Sequence, residues 1–98
     1  MEKKNLRVRV VEINGFCPCY RLGDEFTIRA GYMLEGRSVY CLHALSALLP
    51  FYVALASGVD PVSLGLARPG EKAAYIQCPD PQKSIGGGTV IFEVTVVE

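Results

Sequence analysis

Four cysteines occupy positions 17, 19, 41 and 78, in three short settings: Cys17-Pro18-Cys19, Cys41-Leu42-His43 and Cys78-Pro79-Asp80-Pro81. Thiolates and a neutral imidazole are the ligands that a tetrahedral zinc ion or a small iron–sulfur centre requires. Any three or four of Cys17, Cys19, Cys41, His43 and Cys78 are therefore a candidate metal set, with zinc or an iron–sulfur cluster as the candidate cofactor. The spacing is not that of a zinc knuckle. Cys-x-x-Cys is absent, and Cys-x-Cys puts two sulfurs on one side of an extended segment. Small cysteines at loop edges and in an apolar helix also serve simply as packing residues.

A nucleophilic or redox thiol is the competing chemistry. Cys41 is expected in the first turn of a helix, where free amides stabilise a thiolate, and it is the candidate catalytic residue; the Cys17/Cys19 pair is the redox alternative. His43 follows Cys41 by two residues, and residues two apart on a helix do not face each other, so His43 is not set up as its base. An imidazole in an apolar helix reads first as a core residue. Asp80, held between two prolines, is rigidly presented as a ligand or proton acceptor, or else as part of a stiff turn. Asp24 and Glu25 follow a glycine turn, where an acid satisfies local amides. Gly86-Gly87-Gly88 has no Gly-Lys-Ser/Thr after it and leads into a strand, so it reads as a hairpin connection and not a phosphate cradle. A single His and no evident pair of carboxylates leave few acid and base partners, which favours a structural or ligand-binding site over a hydrolase.

The elements that must position these groups follow from hydrophobic period. Residues 6–13 (LRVRVVEI) alternate strictly at first, with Leu6, Val8 and Val10 on one face and Arg7 and Arg9 solvating the other. The phase slips at Val10-Val11, which predicts a bulge or a passage to two-sided burial, and Asn14-Gly15 ends the strand. A second strand is predicted over 22–29, then a short excursion around Tyr32, Met33 and Leu34 between Gly31 and Gly36. From Val39 the period becomes helical: Leu45, Leu49, Tyr52 and Ala56 lie three or four apart, widened by Leu42, Leu48 and Leu55. Pro50 must kink this helix or start a second one. Ser38 is the expected N-cap and Gly58 the expected stop. Residues 60–72 read as a loop with a short turn at 62–66, 73–78 as a short strand, and 89–97 (TVIFEVTVV) as the strongest strand in the chain.

Residues 38–59 contain no Asp, Glu, Lys or Arg and are long enough to cross a bilayer. His43, Ser46, Pro50, Ser57 and the strand-like flanks argue instead for a buried core helix. The chain of 98 residues, with ten Lys+Arg against ten Asp+Glu, bounds the rest. One domain spanning residues 1–98 and one core are expected, and a second domain is excluded. Zero net charge gives no footprint for phosphate backbones, so nucleic acid is not an expected partner, and neither is a membrane. With 50% hydrophobic residues the chain folds. The opening Met1-Glu2-Lys3-Lys4-Asn5-Leu6-Arg7 has no apolar signal segment, so a reducing cytoplasm and free or metal-bound thiols are expected. An accessory interaction module with structural cysteines only, docking through a sheet edge or the Tyr32 to Leu34 excursion, is the alternative to a chemical role, and the small-molecule or protein partner is left open. A homodimer through a strand such as 6–13 stands beside the pairing of 6–13 with 89–97 inside one chain.

The motifs VEINGFCP, LGDEF, CLHALSALLP and CPDP occur in this order. From Val10 to Glu93 the chain thereby resembles a family of small, uncharacterised prokaryotic proteins of about this length, frequent in anaerobes and archaea. Cys17, Cys41 and Cys78 match that family's three cysteine positions, which implies a shared site. The family's Gly-His pair before the Gly-Asp turn is replaced by Cys19 and Tyr20, so a role for that histidine does not carry over. The expected fold is α+β: a small mixed sheet or half-barrel of four to five strands packed on one apolar, Pro-kinked helix.

Overall fold

A computed structural model describes residues 2–97. Its frame is a five-stranded open sheet built from β1 (Asn5–Gly15), β2 (Glu25–Arg29), β3 (Met33–Glu35), β4 (Ala74–Gln77) and β5 (Gly88–Val97), in the order β3-β2-β1-β5-β4. Every pairing is antiparallel, so the expectation of a mixed sheet or half-barrel is corrected. The terminal strands β1 and β5 are neighbours at the centre, and 6–13 is not a free edge.

Alternation explains which face is buried. Leu6, Val8, Val10, Phe26, Ile28, Val90, Phe92, Val94, Ala74 and Ile76 form the core, while Arg7, Arg9, Glu25 and Tyr75 face out. On the outer face Glu93 receives Arg9 at 3.2 Å and the Tyr75 hydroxyl at 3.1 Å. The predicted phase slip is a bulge: β1 and β5 shift register between Val10 and Glu12. The extra residue, Val11, has a clear physical effect. Were Val11 paired as a regular strand residue, Glu12 would point into the core and Ile13 out of it; because Val11 is bulged out of the ladder, Ile13 packs on the core and Glu12 is exposed.

The single Pro-kinked helix does not form. Two short helices, α1 (Leu42–Leu48) and α2 (Tyr52–Ala56), replace it. Pro50 has no amide to continue the ladder, and the Phe51 amide bonds back to the Leu48 carbonyl at 3.0 Å, three residues away instead of four. The helices are not buried all round either. Only Ala44, Leu48, Leu55 and Ala56 are buried against the sheet. Cys41, not Ser38, occupies the N-cap of α1, with extended backbone and no side-chain cap bond. The predicted stop is correct: Gly58 sits at φ +91°, with its amide on Leu55 and that of Val59 on Ala54, a paired closure that satisfies the last carbonyls. No helix among the described residues is long and apolar enough to cross a membrane.

Candidate functional site

The three cysteine segments meet at the end of the sheet where β1 stops and β5 starts. Cys17-Pro18-Cys19 leaves β1 through Gly15, which lies at φ +91° and pairs with Gly88. Gly88 must be glycine, since a Cβ there would stand 2.5 Å from the Phe16 carbonyl and 2.8 Å from the Cys17 nitrogen. The loop is thus pressed onto the first residue of β5.

Tyr20 is the anchor of the site. Its ring is 2% exposed, edge-on to Phe92 at 5.5 Å and stacked near Phe26 at 6.4 Å. Its amide donates to the Cys17 sulfur at 3.4 Å, and its hydroxyl accepts the Cys41 amide at 3.1 Å. One buried side chain therefore ties the loop after β1 to the start of α1, and with them two of the three cysteine segments. Arg37 closes the arrangement from outside. Its guanidinium carbon lies 4.8 Å from the Tyr20 ring centre, and it donates to the Cys19 carbonyl at 3.0 Å, to the Val39 carbonyl at 3.0 Å and to Asp24 at 2.8 Å. Asp24 also accepts the Arg21 amide at 2.9 Å, the local bond expected of an acid after a glycine turn. That amide, and then Arg37, hold its carboxyl below the usual carboxylate range.

Cys17, Cys19 and Cys41 are all partly exposed. The Cys19 thiol lies within electrostatic reach of Cys41 and Cys17, and burial first, then the charge of Cys41, push it up. The upward push makes this thiol a poorer free nucleophile. Beside it, a shallow depression of about 320 Å³ is walled by Ile13, Phe16, Cys17, Cys19, Tyr20 and Leu22.

Cys78 and Asp80 lie at the same end of the sheet but are held in bonds of their own. Cys78 is buried between β4 and β5, where its sulfur accepts the Val90 amide at 3.3 Å and faces the Gly88 carbonyl at 3.8 Å; its bonds are those of a structural residue. Asp80 organises the loop ahead of β5: its carboxylate accepts the Gln82 amide at 2.7 Å and its carbonyl the Thr89 hydroxyl at 2.9 Å. The stiff-turn reading describes it. His43 is exposed on α1, which corrects the reading of a core histidine. Among the described residues no three or more of His, Cys, Asp and Glu stand together ready to hold a metal ion. A larger crevice of about 840 Å³, walled in part by Lys4, Asp60, Glu71 and Lys72, lies at the opposite end of β1 and contains no thiol. Asp60 and Glu71 there accept the Val62 and Arg68 amides.

Sequence reasoning missed Tyr20 as an anchor and Arg37 altogether. A lone arginine in a glycine-flanked loop has no periodicity to mark it, and its partners are distant in sequence. No family model matches the chain, and no curated protein or solved structure shows significant similarity to it.

Proposed function

We propose that the protein is a small binding domain whose Cys17, Cys19 and Cys41 thiols take a thiophilic ligand, in the first instance a soft metal ion such as zinc. The observation that carries this reading is the double tether of Tyr20, which fixes Cys17 through its amide and Cys41 through its hydroxyl. Three thiolates and one position left to solvent or substrate would make a four-coordinate site. The ion would draw the sulfurs in from their resting positions, and the exposed Phe16 and Pro18 mark the loop best able to close. In this reading Cys78 and Asp80 are structural and His43 is not a ligand. In the family resemblance Cys17 and Cys41 are two of the three matching cysteine positions, the third being Cys78, whereas Cys19 stands where the family departs from this sequence.

Redox cycling of Cys19 with Cys41 is the second reading, favoured by the electrostatic contact of the two thiols. The upward shift of Cys19 weighs against it, because a protonated thiol attacks disulfides slowly at neutral pH. Elemental analysis of protein isolated anaerobically without chelator tests the first reading. About one equivalent of zinc or another soft metal is expected, with three thiols hidden until the metal is stripped. A protein that stays metal-free after zinc is supplied, with those thiols open throughout, overturns it.

A further inference from the structure

The helical layer raises a separate question, independent of the thiols. A two-layer domain has two outer faces, and here they differ in chemistry. The outer face of the sheet is polar, with Arg7, Arg9, Glu25 and Glu93. The outer face of the helices is apolar: Val39 is 65% exposed, Leu42 76%, Leu49 61% and Val53 49%. Helical spacing accounts for this. Leu42 and Leu49, seven apart, share one side of α1, and Ser46 lies between them; Ala44 and Leu48, on the opposite side, are the buried pair. Residues 38–59 contain no Asp, Glu, Lys or Arg to break up the patch.

We infer that this face is covered by a second copy of the chain, in a two-fold dimer through α1 and α2. A two-fold interface sets the same patch against itself, so any charge in it meets its like near the axis. A patch without Asp, Glu, Lys or Arg is self-complementary under that operation. The surface area agrees. A folded monomer of 10.7 kDa exposes about 5,500 Å², whereas this chain exposes 6079 Å² and is flat, with extents of 43 × 32 × 20 Å. The excess, about 580 Å², is about three quarters of the roughly 800 Å² per partner of a standard interface. Stacking two copies gives sheet, helices, helices, sheet, with both polar sheet faces toward water. A membrane surface fits less well. An interfacial helix usually has Lys or Arg along its rim to meet anionic lipid, and Arg37, the cation that directly precedes this segment in the chain, is bonded to Asp24 and stacked on Tyr20.

Sedimentation equilibrium of the full chain over a range of concentrations tests this, alongside Leu42→Glu, Leu49→Glu and Ser46→Glu. The last variant removes no apolar group and only adds charge, and all three positions are exposed, so unchanged circular dichroism is expected. The wild type should reach a dimer, and each variant should weaken association by at least about tenfold. A wild type that stays monomeric throughout, a dimer indifferent to all three charges, or a monomer that sediments with phosphatidylcholine or phosphatidylserine vesicles would each overturn the inference.

Discussion

At the scale of single residues the site depends on one phenol. The Tyr20 hydroxyl accepts the Cys41 amide, and its ring packs on Phe26 and Phe92. Tyr20→Phe keeps the ring and removes the acceptor, leaving the amide at the N-cap of α1 without its partner. The expected cost is about 1 kcal/mol of stability by denaturant titration. Alkylation of Cys41 should become faster while Cys78, buried in the sheet against Val90, is unaffected. Loss of stability with no change at Cys41 would mean that the tether does not position this thiol. The residues with intrinsic chemistry were legible in the sequence because only Cys, His and acids supply it. Their partners were not. Arg37 and Tyr20 act across chain separations of 18 and 21 residues, and nothing local in composition reports such contacts.

At the scale of elements, the strands were legible and the helices less so. Strict alternation in β1, β2 and β5 marked one buried face, and even the bulge was visible as a slip of phase at Val10-Val11. Deletion of Val11 tests that account. With it gone, Val10, Glu12 and Ile13 alternate in, out and in as a regular strand against Phe92, Ile91 and Val90, so no charge is buried and stability should fall by no more than about 1 kcal/mol in denaturant titration. A loss of about 3 kcal/mol or more, the size expected for a charge turned inward, would show that Val11 is not the residue that sets the register. The strand β3 escaped notice because three residues, Met33, Leu34 and Glu35, are too few to show a period. The apolar run 38–59 was misread as one buried helix for a physical reason. Hydrophobicity on all sides of a helix signals burial, but Val39, Leu42, Leu49 and Val53 face outward here, and Pro50 divides the segment.

At the scale of the molecule, β1 and β5 together form the spine on which the rest is placed. Their pairing runs from Asn5 with Val97 to Gly15 with Gly88, and its far end positions the Cys17-Pro18-Cys19 loop. Helix α1 brings Cys41 to the same end, and Tyr20 locks the two together over the aromatic core. Cys78, though close in the chain to the loop before β5, is absorbed into the sheet. In the proposed reading the four thiols divide into a ligand-binding set, Cys17, Cys19 and Cys41, and a structural one, Cys78. Thiol mapping by mass spectrometry, with the native protein alkylated in the presence and absence of cadmium ion, tests this division most directly. Cadmium should protect Cys17, Cys19 and Cys41 together, saturating near one equivalent, while Cys78 is unreactive in the native protein with or without the ion. Protection that needs Cys78, or that leaves any of the other three as reactive as before, would contradict the account.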